Sequence, residues 1–584
     1  MLNDNQFEKI EEREKEWQEN VLEKRVKKYN LPESPTRFYS PLANRNHDFQ
    51  EKVGFPGQYP FTAGSSPFDF WKLFANDAAK IGYRPDWGGA SGVGKYGGFG
   101  TAEDYRDYLI RMHSMGRKGG PNIAFDLATQ CGYDSDSPNA EGEVGRVGVA
   151  IDSFKDFATI YEPYTGDLEI DKVPSNFTIN APAGIIIAMY AVLAEKRGVS
   201  PQQLRGTPQN DILKEFIARG TYIFPPKPSI RLFRDTCVFC THHMRKLNIN
   251  SMGGYHIREA GATQVQDLAF SMANAATYLQ AGIDGGLEID SFAPKFTFNA
   301  FGGSMEIYKE IALQRAARRI YARMLKETFK AKNPKSMLIR QPITAHIGCS
   351  STTLQRPINN LSRAVVGGLA AGMSGGMPGA YPPFDEPLGL GHSQEAVQLQ
   401  LDATRVLLYE TKITDVNDPW AGSYFMESLT DDIENETLEE LKKIDAMGGT
   451  IAAVESGYMQ RSIAKSAYER QKKIERQEEF VVGVNCFSGE NELTVRVNRE
   501  VEATYNPELM KTAEKRQKEK LAQLKKERDN KTVVSLLSAL KSHAKDENKN
   551  LIPDFYECVK NDVTIQEICD VLRDVFGEFQ QVKC

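Results

Sequence analysis

Short apolar runs alternate with longer segments of helical periodicity between about residue 100 and about residue 505. The runs at 123–127, 176–180 and 291–299 have the length of buried strands. The longer segments include 183–197 and 305–330, which have the length and pattern of helices. This alternation predicts an α/β protein with a parallel sheet covered by helices, and over roughly 400 residues the natural candidate is a (β/α)8 TIM barrel. The loops that follow the strands of such a barrel carry its active site.

The two ends of the chain differ from this alternating part. Residues 1–30 read as a charged amphipathic helix, and 31–66 are rich in Pro, Gly, Asn and Phe. Such a segment indicates an extended arm with little core of its own, which we expect to wrap a neighbouring subunit. Past residue 507, a Lys/Glu-rich helical segment and two amphipathic ones indicate a small C-terminal helical appendage with a solvated charged face. The predicted regions are an N-terminal helix and arm (1–66), a barrel (67–505) and a helical region (506–584).

Composition limits the class of function. A chain of 584 residues with 41% hydrophobic and 26% charged residues has the make-up of a soluble globular protein with a large core. Its net charge of −6 lacks the basic excess expected of a nucleic-acid-binding protein. No apolar run reaches the roughly 18 residues that span a bilayer, and the charged N-terminus is unlike a signal peptide. We therefore expect a cytoplasmic protein whose eight cysteines stay reduced.

Two local patterns resemble sites of other classes. Cys237 and Cys240, followed by two histidines, have metal-like spacing, but they fall inside a helical stretch and no second pair follows. The glycine-rich stretches 88–98 and 372–379 lack the GxxxxGK[ST] pattern of a phosphate-binding loop. We expect neither a metal site nor a phosphate loop.

The block 206–263 contains the polar residues with the most suggestive context. Gln209 opens the string QNDILKEFIARGTYIFPPKPSIR, in which Arg219 ends a helical stretch before a turn. An arginine there suits a carboxylate ligand, which it holds by paired hydrogen bonds, and equally suits a surface ion pair. His256 follows two glycines in GGYHIREAGAT. Taken alone, this histidine fits a structural role as well as a catalytic one.

Two further motifs precede this block. Tyr96 stands before two glycines in KYGGFGTAE, where it would otherwise be a turn aromatic. Phe125 lies in AFDLATQCGYDSD, which continues to GEVGRVGVAIDS; the acidic residues there do not have the spacing of a calcium-binding EF-hand loop. Beyond the block, the strings NDPWAGSYFMESLTDDI and IDAMGGTIAAVESGY complete the set.

Together these motifs resemble the methylmalonyl-CoA mutase family of coenzyme B12-dependent acyl-CoA mutases, over about residues 50–580. The resemblance implies a radical rearrangement of the carbon skeleton of an acyl-CoA, with CoA threaded along the barrel axis. It implies that Arg219 binds the substrate carboxylate, that His256 polarises the thioester carbonyl, and that Tyr96 lies against the substrate and the adenosyl group. These three are the expected catalytic residues. The expected substrate-binding residues are Gln209, Arg219, His256, Thr207, Lys295 and Thr297, and the expected cofactor-binding residues are Phe125, Glu259 and Glu386.

The resemblance does not extend to the cobalt-binding half of the family. The signature Asp-x-His-x-x-Gly, whose His ligates cobalt, has its nearest counterpart at His113–Gly116, where Arg111 replaces the Asp. The resemblance therefore implies a large, catalytic subunit. It would bind adenosylcobalamin mainly through a separate cobalamin-binding small subunit, as a hetero-oligomer.

Three segments depart from the family pattern: 63–95, 340–346 and 374–383. Polar groups around the pocket are lost there, and Lys295 stands where the family often has an Arg near CoA. With Arg219 retained, these changes indicate a carboxylated substrate that is methylmalonyl- or succinyl-like, or bulkier, such as an alkyl- or benzylsuccinyl group. Two alternatives stay open. One is a mutase for an uncarboxylated acyl group of the isobutyryl or 2-hydroxyisobutyryl type, and the other is a non-catalytic barrel subunit that binds CoA or a B12-loading partner.

Overall fold

The described part of the chain contains six short strands, each parallel to its neighbours. The structure is a computed structural model that describes residues 3–33, 38–66, 93–114, 119–299, 301–340, 348, 350–375, 383–388, 394–413, 415–489 and 507–581. The first sheet has the order β1–β2–β3–β4 and the second pairs β5 with β6. The strands are β1 (Val93–Gly97), β2 (Gly120–Ala124), β3 (Ser175–Thr178), β4 (Gly206–Pro208), β5 (Asn250–Met252) and β6 (Phe296–Phe298).

Backbone hydrogen bonds join the two sheets. The amide of Asn248 donates to the carbonyl of Gly206 over 3.0 Å, and the amide of Ser251 donates to the carbonyl of Gln209 over 2.9 Å. On the far side of β6, the amide of Phe298 donates to the carbonyl of Arg340 over 2.9 Å. Parallel strands that neighbour each other in chain order are what a barrel requires. The described residues do not include a closed ring, so the protein is shown to be a mostly helical α/β protein with small parallel sheets, and the complete (β/α)8 barrel stays a prediction.

Helices connect and cover the strands. The α-helices are Asp4–Trp17, Glu23–Lys28, Phe49–Lys52, Ala102–Ser114, Leu127–Gln130, Phe154–Ile160, Ala183–Lys196, Ile212–Lys214, Pro226–His243, Gly254–Glu259, Gln264–Asp284, Ile289–Phe292, Ile307–Arg323, Asn359–Met373, Gln394–Arg405, Tyr424–Ala446, Thr450–Glu455, Tyr458–Glu475, Pro507–Glu527, Asn530–Ala544, Ile552–Lys560 and Ile565–Phe576. The π-helical turns are Gln18–Leu22, Glu215–Arg219, Met324–Thr328 and Val406–Glu410. The 3-10 turns are Pro41–Asn44, Pro138–Ala140, Gly166–Leu168, Pro201–Gln203, Ala293–Lys295, Pro334–Met337 and Glu386–Leu388. Within the described part of the chain, no helix is both long and apolar enough to cross a membrane.

The helix Ala183–Lys196 shows why the C-terminal helices lie against the body of the protein. Its residues from Ala183 to Ala194 are all buried, and a helix that is apolar all round must be covered on every side. The helix Ile552–Lys560 packs against it, and a Cβ on Gly184 would come within 2.8 Å of the Ile552 side chain. The C-terminal region is thus part of the packed core.

Buried arginines tie the N-terminal arm to the body. Arg318, on the helix Ile307–Arg323, donates to the carbonyl of Phe61 over 3.1 Å and to that of Thr62 over 2.8 Å. Phe61 and Thr62 are themselves buried. By contrast, the helix Asp4–Trp17 has no buried residue. The later part of the predicted arm therefore packs into the core of this chain, contrary to the expectation of an arm that wraps a neighbouring subunit, whereas the helix before the arm does not pack there.

Candidate active site

The carboxyl ends of the parallel strands bring three predicted residues together. Gln209 directly follows β4, and His256 lies on the helix Gly254–Glu259 that follows β5. This helix packs against the π-helical turn Glu215–Arg219, which ends at Arg219. Gly220 then reverses the chain direction with a φ of 89°, a conformation that glycine adopts without steric cost. Gln209, Arg219 and His256 therefore share one edge of the sheet.

A buried carboxylate that none of the sequence motifs indicated anchors Arg219. The Nη1 of Arg219 lies 3.3 Å from Oε1 of Glu215, and the same oxygen accepts from Nζ of Lys214 over 2.5 Å. The other oxygen, Oε2, accepts from the amide of Thr221 over 3.1 Å and from its hydroxyl over 2.5 Å. Burial alone would raise the pKa of Glu215, but the positive charges of Lys214 and Arg219 hold that pKa below its ordinary value. Glu215 is therefore an anion that holds Arg219 from beneath.

Gln209 is bound to the same group of side chains. Its Oε1 accepts from Nζ of Lys214 over 3.0 Å and from Nδ2 of Asn180 over 2.9 Å. Asn180 also donates to Oε1 of Glu215 over 2.5 Å. Two shared donors thus fix the position of the Gln209 amide relative to the Arg219 guanidinium.

A second buried carboxylate supports the segment that carries His256. Oδ2 of Asp211 accepts from the amide of Gly253 over 2.9 Å, and Oδ1 accepts from the hydroxyl of Tyr278 over 2.8 Å. The Nδ1 of His256 lies 3.3 Å from the carbonyl oxygen of Gly253, and its ring lies against that of Tyr255, with centroids 3.8 Å apart. Because a carbonyl oxygen only accepts, this contact favours the His256 tautomer with the proton on Nδ1.

Another set of predicted residues lies further towards the amino ends of β4 and β6. Lys295 directly precedes β6, and burial lowers its pKa. Thr207 accepts at Oγ1 from Asn248 over 2.7 Å, and Asn248 in turn accepts from Nη1 of Arg340 over 3.2 Å. Thr297, in the middle of β6, is buried and donates to the carbonyl of Asn250 over 2.6 Å. Two cations, Lys295 and Arg340, therefore lie near the amino ends of β4 to β6, and only Lys295 was a predicted site residue.

The structure buries Phe125 completely, at 0% exposure. It follows β2, and its carbonyl accepts from Nε2 of Gln130 over 2.6 Å. The apolar side chains exposed beside it are Leu127, at 43%, and Val147, at 62%. Asp126 holds the loop of Val147 in place, since its Oδ2 accepts from the amide of Gly145 over 2.7 Å. The exposed apolar surface at the carboxyl end of β2 is thus formed by Leu127 and Val147 and not by Phe125 itself.

Glu259 and Glu386, the other two predicted cofactor contacts, lie close enough to interact. Glu259 accepts from the amide of Ser350 over 2.8 Å and from its hydroxyl over 3.0 Å. Burial raises the pKa of Glu386, and the neighbouring carboxylates of Asp385 and Glu259 raise it further. Glu259 and Glu386 therefore form a pair of acidic side chains that could accept hydrogen bonds from sugar hydroxyls.

Some predicted features lie outside the described residues. Tyr96 has its backbone in β1, opposite Asn122, but its side chain is outside that set. Residues 67–92, 341–347 and 376–382 lie wholly outside the described residues, and they make up most of the three segments that depart from the family pattern.

Cys237 and Cys240 are both buried in the helix Pro226–His243. Burial raises the pKa of the Cys240 thiol to about 12 and raises that of Cys237 as well. No group of three or more His, Cys, Asp or Glu side chains suited to a metal ion occurs in the described part of the chain.

Residues near the C-terminus contact the segment that carries Arg219. The ring of Phe579 lies 4.9 Å from that of Phe216 and 4.9 Å from that of Tyr222, centroid to centroid. Arg573 donates from Nη2 to the carbonyl of Cys131 over 2.7 Å. This clasp, formed by Arg573 and Phe579, lies against loops at the candidate active site.

Comparison with known proteins gives a consistent result over nearly the whole chain. The family model described as methylmalonyl-CoA mutase matches residues 34–578. A probable mitochondrial methylmalonyl-CoA mutase of Caenorhabditis elegans is 36% identical over 557 residues, which are 95% of this chain and 70% of that protein. The 2-hydroxyisobutanoyl-CoA mutase large subunit of Aquincola tertiaricarbonis is 35% identical over 534 residues, 91% of this chain and 89% of that subunit. The mitochondrial methylmalonyl-CoA mutase of Mus musculus is 36% identical over 540 residues, 92% of this chain and 68% of that protein. Overall identity is thus nearly the same to mutases named for different substrates.

Proposed function

Since the chain belongs to the methylmalonyl-CoA mutase family, and its relatives are named as mutases and so are isomerases, we propose that it rearranges a carboxylated acyl-CoA. The observation that carries this proposal is the position of Arg219. It lies at the carboxyl edge of the sheet, held by Glu215, next to Gln209 and to the helix of His256.

Arg219 supports a carboxylated acyl group. Its side chain is 26% exposed, whereas those of Lys214 and Glu215 are fully buried. A partly exposed guanidinium that a buried carboxylate holds in place suits a substrate carboxylate, which it binds by charge-assisted hydrogen bonds. An uncarboxylated acyl group would bring no opposite charge to this position. The acyl group is therefore methylmalonyl- or succinyl-like, or a bulkier alkyl- or benzylsuccinyl group.

The proposed roles of the other residues follow from their places along the strands. CoA would lie along β4 to β6, with its phosphates near Lys295 and Arg340 at the amino edge and its thioester at the carboxyl edge. Thr207 and Thr297 would line this path, and Gln209 would orient the acyl group. His256 would donate a hydrogen bond to the thioester carbonyl. If Nδ1 keeps its proton for the carbonyl of Gly253, donation from Nε2 requires the imidazolium form.

The residues present fit an adenosylcobalamin. Leu127 and Val147 offer exposed apolar contacts for the corrin above the buried Phe125, and Glu259 and Glu386 offer acceptors for the ribose of the adenosyl group. When bound, this cofactor supplies the radical that starts the rearrangement. Tyr96 would press against the reacting region, and Arg219 and His256 would hold the acyl group while water is excluded.

A separate cobalamin-binding small subunit is part of the proposal. The relative from Aquincola tertiaricarbonis, of which this chain covers 89%, is itself named a large subunit. We propose a corresponding hetero-oligomer, in which the small subunit carries most of the cobalamin contacts.

Turnover by the reconstituted complex tests the proposal. The chain, its small subunit and adenosylcobalamin would be assayed with methylmalonyl-CoA, alkyl- and benzylsuccinyl-CoA, isobutyryl-CoA and 2-hydroxyisobutyryl-CoA. We expect a carboxylated substrate to have the highest kcat/KM. Arg219→Gln should raise the KM for that substrate about tenfold or more, because a hydrogen-bonded charge partner is lost. Arg476→Gln, at an exposed arginine that ends the helix Tyr458–Glu475, is the control.

Two outcomes would contradict the proposal. Faster turnover of 2-hydroxyisobutyryl-CoA or isobutyryl-CoA than of any carboxylated substrate would favour the uncarboxylated alternative. Binding of CoA esters with no turnover of any of them would favour a non-catalytic subunit.

A further inference from the structure

The carboxylate of Glu215 has all its acceptor positions filled by the protein itself. Three donors converge on Oε1, from Lys214, Asn180 and Arg219, and two converge on Oε2, both from Thr221. A carboxylate offers about four lone-pair directions, so Glu215 has none left to bind a substrate or to take part in proton transfer. It is buried to 1% exposure and does not reach the surface. Any role it has in the reaction must therefore act through its partners.

The local backbone aims those partners at the carboxyl edge. The π-helical turn Glu215–Arg219 closes with a hydrogen bond from the amide of Gly220 to the carbonyl of Glu215, over 2.8 Å. A π turn widens the helix by one residue and is common at functional sites. Here it places Glu215 directly beneath Arg219, while the left-handed Gly220 brings Thr221 back to the other carboxylate oxygen. The turn therefore encloses the carboxylate.

We propose that Glu215 is a positioning residue for the substrate acid group. Its anion, matched by the ammonium of Lys214, fixes the guanidinium of Arg219 from below and, through Lys214 and Asn180, the amide of Gln209. The incoming carboxylate then meets two side chains that are already in place, so little conformational freedom is lost on binding. This inference rests on the proposed function, because it assigns Glu215 a part in the recognition that Arg219 performs.

The main test variant must remove both charges of the buried pair Lys214 and Glu215 together. Glu215→Gln alone leaves the ammonium of Lys214 buried without its closest partner, and we expect that variant to fold poorly. The double variant Lys214→Met/Glu215→Gln removes both charges, keeps side chains of similar size and leaves Arg219 without its anion. Thr221→Val is a milder second variant, which removes only the hydroxyl donor to Oε2.

The readout is the preference for a carboxylated ligand. Succinyl-CoA and butyryl-CoA have acyl chains of equal length, but the chain of succinyl-CoA ends in a carboxylate and that of butyryl-CoA ends in a methyl group. Titration calorimetry on the purified full chain gives the ratio of their dissociation constants without the cofactor. We expect a preference for succinyl-CoA in the wild type that falls about tenfold in the double variant and less in Thr221→Val, with butyryl-CoA affinity unchanged. Circular dichroism confirms folding, and Glu434→Gln is the matched control, since Glu434 is a buried glutamate whose partner Arg319, on another helix, keeps a second carboxylate, that of Asp431.

The outcomes separate this inference from the proposed function. A wild type without any preference for succinyl-CoA would overturn both. A preference that is lost in Arg219→Gln but kept in the folded double variant and in Thr221→Val would overturn the positioning role alone. Equal loss of affinity for both ligands would also overturn it, because it would show that Glu215 only maintains the structure.

Discussion

Asp267 should make this protein less stable as the pH rises towards neutrality. It is fully buried near the start of the helix Gln264–Asp284, and its Oδ2 accepts from the amide of Gly302 over 2.6 Å. Burial raises its pKa to about 7, and the carboxylate of Glu310 adds to this, while the Gly302 amide and Arg258 act against it. A Cβ on Gly254 would lie 2.2 Å from Oδ1, so the group lies directly behind the helix of His256. Replacing it by Asn keeps the shape and an acceptor but removes the proton equilibrium.

The magnitude follows from linkage between proton binding and folding. The folded state binds this proton more tightly than the unfolded chain does, since the pKa is about 7 against an ordinary value of 3.8. The contribution to stability is therefore complete below the unfolded pKa, is lost as pH rises towards the folded pKa, and is constant above it. The total is about 4 kcal/mol, of which about 2 kcal/mol is lost between about pH 5.5 and about pH 8. Asp267→Asn should gain that amount relative to the wild type over the same interval.

Urea unfolding of the wild type and of Asp267→Asn at the two pH values measures this difference. The slope m should stay the same, so that the shift in midpoint reports stability alone. Comparing the two proteins in each buffer cancels the contributions of all other titrating groups. Unfolding curves whose separation is the same at both pH values would refute the reasoning.

Two predictions concern single residues of the scaffold. Arg315→Met would strand the buried carboxylates of Glu427 and Asp418, and should cost about 3–5 kcal/mol, seen as a lower melting temperature; an unchanged melting temperature would contradict the assigned pairing. Gly98→Ala would place a methyl group 2.0 Å from the carbonyl oxygen of Ala124, so we expect β1 and β2 to lose their register and the yield of folded protein to drop sharply. In the control Gly489→Ala, no described residue lies within 4 Å of the added methyl group, and similar yields for both variants would rule out the close approach at Gly98.

Periodicity predicted where strands and helices occur better than where they end. The run 123–127 reads as one strand, yet β2 stops at Ala124 because the side chain of Asp126 accepts from the amide of Thr129 and begins the helix Leu127–Gln130. The run 291–299 contains the end of the helix Ile289–Phe292 and the 3-10 turn Ala293–Lys295 as well as β6. Both apolar runs are too short to distinguish a helix from a strand, and in the first a capping side chain starts a helix within the run.

The motifs predicted which residues meet at the carboxyl edge but not what lies beneath them. Gln209 and Arg219 both lie in the segment that follows β4, whereas His256 joins them because β5 lies beside β4, an order that follows from the alternating pattern. Lys214 and Glu215, by contrast, have the composition of a solvated helix face, and charged residues are rarely buried unless paired. The spacing of Glu215 and Arg219 allows a helical pair, yet only the packing of the surrounding helices reveals that the pair is buried.

The clasp formed by Arg573 and Phe579 has a consequence for biosynthesis. Arg573 and Cys131 are 442 positions apart along the chain. A ribosome releases the N-terminal part first, so the loops around Arg219 must wait for residues 573–579 before their last contacts form. During that interval the apolar rings of Phe216 and Tyr222 lack their Phe579 partner. A nonsense mutation shortly before residue 573 would thus yield a protein that lacks these contacts beside the candidate active site.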